Sequence, residues 1–205
     1  MKEVLIFGGG THAKVIIDCI EQQGLYKISG IVDDDPAKSE LLGYPLHQTE
    51  TPAAYTGQQG IIAIGNSAVR RQFAEELCCG FITAIHPAAV VSRYAQVGAG
   101  SQVLAHAVIN AAATVGEHCI INTGAVVEHD CRIGDFVHVS SQAAVGGGVQ
   151  IGEGTQVGIG VSIIQNLRIG TNVIIEAGAT VVHDLPDHCT AAGVPARPIK
   201  YHDPH

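Results

Sequence analysis

From Val91 to Val181 every sixth residue is Val or Ile, sixteen positions in unbroken phase. A period of six matches neither the 3.6 of an α-helix nor the 3.5 of a coiled coil, so a helical fold is excluded for this half. Four residues after each aliphatic comes mostly a small or slim side chain, such as Ala95, Ser101, Ala107, Ala113 and Cys119. Gly follows the aliphatic at 98, 116, 134, 152 and 170, a spacing of 18. The pattern predicts a short strand and a corner per hexad, three hexads per triangular coil, with β-branched side chains pointing inward. Small residues suit a narrow prism, Gly is expected to relieve its corners, and coils stack at ~4.8 Å. The predicted fold is a hexapeptide parallel β-helix about five coils long.

Composition agrees with that prism. Of 205 residues 46% are hydrophobic but only 4% aromatic, 25 are Gly, and Trp is absent. The core must be aliphatic. Net charge is -8, so no basic field exists for a nucleic acid backbone. The six Cys show no C-x-x-C pair and no disulfide framework. The N-terminal apolar run is too short for a secretory segment, and no stretch approaches the ~18 apolar residues of a membrane span. A reduced, soluble, cytoplasmic protein is expected.

Residues 1–85 alternate differently. Strands are predicted at 4–7, 28–33, 61–64 and near 81–85, with helices near 12–23 and 67–78 and a polar loop after the second strand. The βαβ order implies a small parallel sheet, a Rossmann-like half, with residues 86–205 forming the coil domain and tail. His86-Pro87 marks the junction. Gly8-x-Gly10-x-x-Ala13 follows a strand and opens a helix, and Asp33 lies where a ribose-binding acid belongs. So short a sheet fits a nucleotide diphosphate at the helix N-terminus rather than a dinucleotide. The competing reading is a tight strand–helix turn without ligand. A solvated turn likewise competes for Asp33-Asp34-Asp35, and Gly65-Asn66 at the same sheet edge tilts both toward a site.

On the coil, residues 18 apart stack. Of eleven His, His106 and His118 read as outward coil positions, and His183, His188, His202 and His205 as solvated. His129 differs: it stands near a corner between Glu128 and Asp130, beneath Gly147 of Gly146-Gly147-Gly148. A rung without side chains would leave room for a bound thioester, and its N–H could polarise a carbonyl. An adjacent carboxylate makes the imidazole a better base toward an attacking amine or hydroxyl. Cys131 falls on an inward phase and reads as core rather than nucleophile.

GGGTHA, VDDD, IAIGNSAVR, INTGAVVEHDCRIGDFVHVSSQAAVGG and GVPARPIK together cover nearly the whole chain. They resemble the bacterial sugar-nucleotide acetyltransferases that join a small nucleotide-binding domain to a left-handed β-helix, including the UDP-4-amino-sugar N-acetyltransferases of bacillosamine biosynthesis and sialic acid O-acetyltransferase relatives. The resemblance implies acetyl-CoA-dependent N-acetylation of a UDP-linked amino-deoxy-sugar for surface glycan or protein glycosylation, with O-acetylation of a sialic acid or other sugar as the alternative. It implies His129 as general base with Asp130 raising its basicity, in place of a Glu in relatives. His138 and the Gly147 N–H are implied as thioester contacts with Asn122 nearby. Ile159 and Ala177 are implied along the pantetheine, and Arg197 at the adenine and phosphates. Gly10, Thr11, His12, Asp33, Asp34 and Gly65 are implied for the UDP-amino-sugar, and a homotrimer with sites between subunits. A zinc lyase on the same fold is disfavoured, because His129 and His138 lie nine residues apart on different faces, so no metal is expected. A scaffold without chemistry is disfavoured by the intact Glu128-His129-Asp130 cluster.

Overall fold

The computed structural model describes residues 1–35 and 39–203. The N-terminal sheet runs β1 (Lys2–Phe7), β2 (Tyr26–Val32), β3 (Glu40–Leu41), β4 (Tyr44–His47), β5 (Gln59–Ile62) and β6 (Gly80–Phe81), in the spatial order β3-β4-β2-β1-β5-β6. All neighbours pair in parallel except β3 with β4. Helix α1 (Thr11–Gln23) follows β1 and buries Ala13, Ile16, Ile17 and Ile20, an i, i+3, i+4, i+7 face. It ends at Gly24 in the left-handed conformation. Helix α2 (Ser67–Glu76) follows β5, and its N-cap Asn66 accepts from Val69 N–H. The polar loop expected after β2 contains a short hairpin, β3–β4, whose second strand extends the parallel sheet through Ile31 opposite Leu46.

The second half is a parallel β-solenoid with three flat faces. The first carries Ala84–Ile85, Gln102–Val103, Ile120–Ile121, His138–Val139, Gln156–Val157 and Ile174–Ile175; the second carries six strands from Val90–Val91 to Thr180–Val181. The third carries five, from Gln96–Val97 to Arg168–Ile169. Six strands on two faces make the prism longer than the expected five coils, because it starts at Ala84. The strand expected near 81–85 is split: Gly80–Phe81 joins the N-terminal sheet while Ala84–Ile85 pairs with Gln102–Val103. The chain closes with a hairpin, Cys189–Gly193 against Ala196–Tyr201, continuing the first face beside Ile174–Ile175. The second residue of each coil strand points inward, and Val103, Ile109, Ile121, Val127, Val139, Val145, Val157 and Val181 are wholly buried.

The corners correct one expectation. Every sixth residue from Gly100 to Gly178 has positive φ, including His106, Ala112, His118, Asp130, Phe136, Gln142, Asn166 and Asn172. The glycines at 98, 116, 134, 152 and 170 lie at another phase and do not relieve those corners. They allow close stacking instead: a Cβ on Gly98 would sit 2.6 Å from the Gly116 backbone, and one on Gly152 2.6 Å from Gly170. His118 is also corrected: it is buried, packed edge-on to Phe81 at 4.5 Å and stacked on Phe136 at 5.2 Å. His188 and His202 are half-buried rather than solvated, with His202 Nε2 2.9 Å from Thr190 Oγ1. His205 lies outside the described residues.

Two substitutions separate these glycine roles. Gly98→Ala is expected to destabilise by about 1–3 kcal/mol through overpacking between coils. Ala112→Gly, at φ 61° on an exposed corner, is expected to stabilise by about 1 kcal/mol or less, left-handed strain relieved outweighing added chain entropy. Urea midpoints of the two variants check the opposite signs.

Candidate functional site

The N-terminal sheet reverses strand order on either side of β1, and ligands of open α/β sheets bind at the carboxyl ends of strands at such a point. Gly8 leaves β1 with φ 99°, where a Cβ would press on Ile64 at 2.7 Å. Gly10 then caps α1 without a side chain, so no side-chain oxygen competes for the first-turn amides. Asp33, at the end of β2, accepts from Gly9 N–H and from Asp35 N–H at 2.9 Å. Asp34 accepts from Thr49 N–H at 2.9 Å. These bonds shape a cavity of about 440 Å³ whose lining includes Gly10, Thr11, His12, Asp33, Asp34 and Gly65, all six of the predicted nucleotide-sugar residues. Thr49, Val69 and Phe73 also line it. Thr49 follows the unforeseen β3–β4 hairpin, and only its place between turn residues hinted at it.

The cavity wall is bonded to the coil. His12 Nε2 lies 2.8 Å from Gln102 Oε1, and Gln102 donates to the Ile62 carbonyl at 2.7 Å. Arg70, fully buried on α2, donates to the carbonyls of Ile64 at 2.8 Å and Gly65 at 3.0 Å on the cavity side. It also donates to His118 O at 2.7 Å and Phe136 O at 2.8 Å on the coil side, with Ser67 Oγ at 3.4 Å. Burial pulls Arg70 down to about 10, which leaves it charged at neutral pH. Two residues past Phe136 comes His138, whose Nε2 is 3.1 Å from Asn122 Nδ2. Burial, then the Arg70 and His12 charges, push His138 down to about 4, with the Gly65 backbone opposing. His12 is also lowered, by burial first, with the Gln102 bond opposing and Arg70 adding.

Asn122, His138, Ile159 and Ala177 line one groove of about 340 Å³ along the first face and its corner with the second. Arg197 lies on the closing hairpin, opposite Ala192, and donates to Ala196 O at 2.8 Å. It belongs to the same sheet without lining the groove.

His129 and Asp130 stand elsewhere. They occupy the turn between the Val126–Val127 strand of the second face and the Arg132–Ile133 strand of the third. His129 Nδ1 and Asp130 Oδ2 are 2.7 Å apart, both side chains about two-thirds exposed. Asp130 holds its corner at φ 59°, a conformation Asp tolerates. Glu128 is engaged by Asn110 Nδ2 at 2.7 Å on the preceding coil. A Cβ on Gly147 would fall 2.7 Å from His129 Cε1 and Nε2. The space over Gly147 is thus filled by the imidazole itself rather than left open, as the glycine run had suggested. Cys131 is buried, its thiol donating to Gly146 O at 3.1 Å, and burial raises its pKa. Within one chain the prism separates the His129–Gly147 corner from the His138 groove: that corner is opposite the first face. Among the described residues no three His, Cys, Asp or Glu side chains gather as a metal would require, and no helix is long and apolar enough to cross a membrane.

Stability should report the two depressed imidazoles. His118 is held at about 4 by burial first, then by Arg70, and His138 likewise. The unfolded chain takes up these protons near pH 6.5, so stability present above that value falls as pH drops from 6.5 through 4. Urea midpoints measured between pH 7.5 and 4 should decline across that window, and less steeply in His138→Gln.

Residues 3–77 match the PglD N-terminal domain family. The chain is 44% identical over 113 residues to UDP-N-acetylbacillosamine N-acetyltransferase from Bacillus subtilis (strain 168), a match spanning 51% of this chain and about half, 52%, of that relative. Among solved structures, a single-residue variant of perosamine N-acetyltransferase from Caulobacter crescentus, in complex with CoA and GDP-perosamine, superposes with a TM-score of 0.92 at 38% identity, covering 98% of each chain. The acetyltransferase domain of PglB from Neisseria gonorrhoeae, in complex with acetyl coenzyme A, gives 0.89 at 35% identity over 97% of this chain and 99% of that one.

Proposed function

The chain belongs to the sugar-nucleotide N-acetyltransferases, and from that premise we propose that it transfers the acetyl group of acetyl-CoA to the 4-amino group of a UDP-linked amino-deoxy-sugar. The observation carrying the reading is the His129–Asp130 pair laid over the side-chain-free Gly147. His129 Nε2 takes the proton of the sugar amine as its nitrogen attacks the thioester carbonyl, while the Asp130 carboxylate accepts from Nδ1–H and stabilises the imidazolium. The Gly147 N–H faces the developing oxyanion. Collapse of the tetrahedral adduct breaks the C–S bond, and the imidazolium returns its proton to the departing CoA sulfur. No acyl-enzyme forms, in keeping with the buried Cys131. The likeness to the Bacillus subtilis enzyme favours UDP and the bacillosamine-type sugar.

The acceptor's nucleotide diphosphate occupies the cavity at the start of α1, with Gly10, Thr11 and His12 at the phosphates and Asp33, Asp34 and Gly65 completing the site. CoA runs along the coil groove: Asn122 and His138 near the thioester, Ile159 and Ala177 along the pantetheine, Arg197 toward the adenine and phosphates. These roles need a second copy. Outward positions of the second face are Val90, Val108, Val126, Ala144, Ser162 and Thr180, aliphatic or small, whereas the third face presents Gln96, Thr114, Arg132, Gln150 and Arg168. The second face is flanked by the two separated half-sites. Three copies packed on it about a common axis set one copy's His129 beside the next copy's groove, a homotrimer with one site per interface. The enzyme is proposed to work in the cytoplasm.

CoA release with a UDP-linked 4-amino-sugar tests the reading, and absence of turnover with every UDP-amino-sugar tried overturns it. His129→Ala should lower kcat by about 10²–10⁴-fold, with folding unchanged because the side chain is exposed. Gly147→Ala, which displaces the imidazole, should cost at least about tenfold. Refolding His129→Ala together with His138→Ala in equal amounts should restore about a quarter of the sites, since each intact site draws its halves from neighbouring copies. An active monomer in sedimentation would refute the shared site.

A further inference from the structure

Two side chains that neither half-site uses join the nucleotide cavity to the coil. Among the described residues Arg70 has no carboxylate partner: its hydrogen bonds go to four carbonyls and one hydroxyl. Two of those carbonyls, Ile64 and Gly65, form the cavity rim, and Gly65 lines it. The other two belong to coil corners, and Phe136 leads directly into the strand bearing His138. Gln102, wholly buried on the first face, makes the second link, one amide joining His12 of the cavity to the end of β5. A planar guanidinium presents its donors in a fixed fork, so four carbonyls meeting it are held at fixed mutual distances. A flexible ammonium with three donors imposes no such constraint.

The acceptor sugar is attached to a nucleotide held in one part of the chain and reacts on another. Its amine must arrive within near-attack distance of the thioester, and a 1 Å error costs about a hundredfold in rate. We infer that Arg70 and Gln102 are positioning residues, which hold the nucleotide cavity and the His138 strand in one register so that a nucleotide-borne sugar reaches the acyl site. The inference rests on the proposed function and adds to it where the accuracy of delivery comes from. His12 and Gly65 thereby serve two ends, contact with the ligand and attachment to the coil.

The experiment compares wild type with Arg70→Lys and with Gln102→Met, which keeps nearly the same volume. The readouts are the dissociation constants of UDP and CoA by calorimetry, kcat and KM for a UDP-linked 4-amino-sugar, and hydrogen exchange at residues 134–140 with and without UDP. For each variant the expected result is unchanged UDP and CoA affinity with kcat at saturation lower by about tenfold or more. In wild type, UDP should slow exchange at residues 134–140, and this coupling should vanish in Arg70→Lys. Wild-type kcat in both variants overturns the inference. So does a parallel fall of UDP affinity, kcat and melting temperature in both, which is what mere support of the fold would produce. Should Arg70→Lys fail to fold, Gln102→Met alone decides by the same criteria. A wild type that binds UDP and shows the coupled protection but transfers no acetyl group refutes the proposed reaction and leaves the registration standing.

Discussion

The parallel backbone ladder between residues 18 apart is the constraint on which this molecule depends. Each coil closes only if its three corners turn through the left-handed region, and the chain meets that demand every sixth residue from Gly100 to Gly178. For L-residues the conformation costs about 1–2 kcal/mol apiece, and more than half of these corners are not glycine. Ladder hydrogen bonds and the buried aliphatic column must offset it at every turn. In return, the ladder fixes the position of each outward side chain to the coil spacing. His129 over Gly147 and Ile159 in line with Ala177 are consequences of that register rather than of local loop geometry. A reactive constellation placed on such a rod is rigid by construction.

The prism could be read from the chain because period six leaves no other solution, and its inward phase follows from Val and Ile alone. The cavity at the start of α1 was legible for a similar reason: glycines after a strand and acids at the end of the next must meet at one sheet edge. Other features carried no periodic signal. The left-handed corners hold His, Ala, Asp, Phe, Gln, Asn and Gly alike, so residue type did not mark them, whereas the conspicuous glycines answered a different need, contact between stacked coils. His118 looked like a surface corner, and nothing nearby in sequence announces that Phe81 and Phe136 enclose it.

Arg70 shows the limit most sharply. It sits in Val69-Arg70-Arg71-Gln72 of α2, where the neighbouring Arg71 stays partly exposed, 3.5 Å from Glu153 and 4.5 Å over the Phe136 ring. Arg70 turns inward because carbonyls 48 and 66 residues along the chain await it. Main-chain acceptors are present at every residue, so no sequence motif can declare such a partner. The separation of His129 from the His138 groove follows from hexad counting, but its meaning needs the prism cross-section, in which that corner faces away from the groove.

A rod of stacked strands also has two ends, and each end is an unsatisfied template for another strand. Here the first face is capped at both ends. At the top, Ala84 and Leu104 of the first coils share a core with Ile16 and Ile20 of α1, so the N-terminal α/β unit doubles as a lid. At the bottom, the Cys189–Gly193 and Ala196–Tyr201 hairpin closes the first face with an antiparallel strand whose polarity no further parallel coil matches. The ladder that makes the coil regular would, if left open, let one molecule add onto the next without limit. Its two unlike terminations oppose such open-ended growth along the first face.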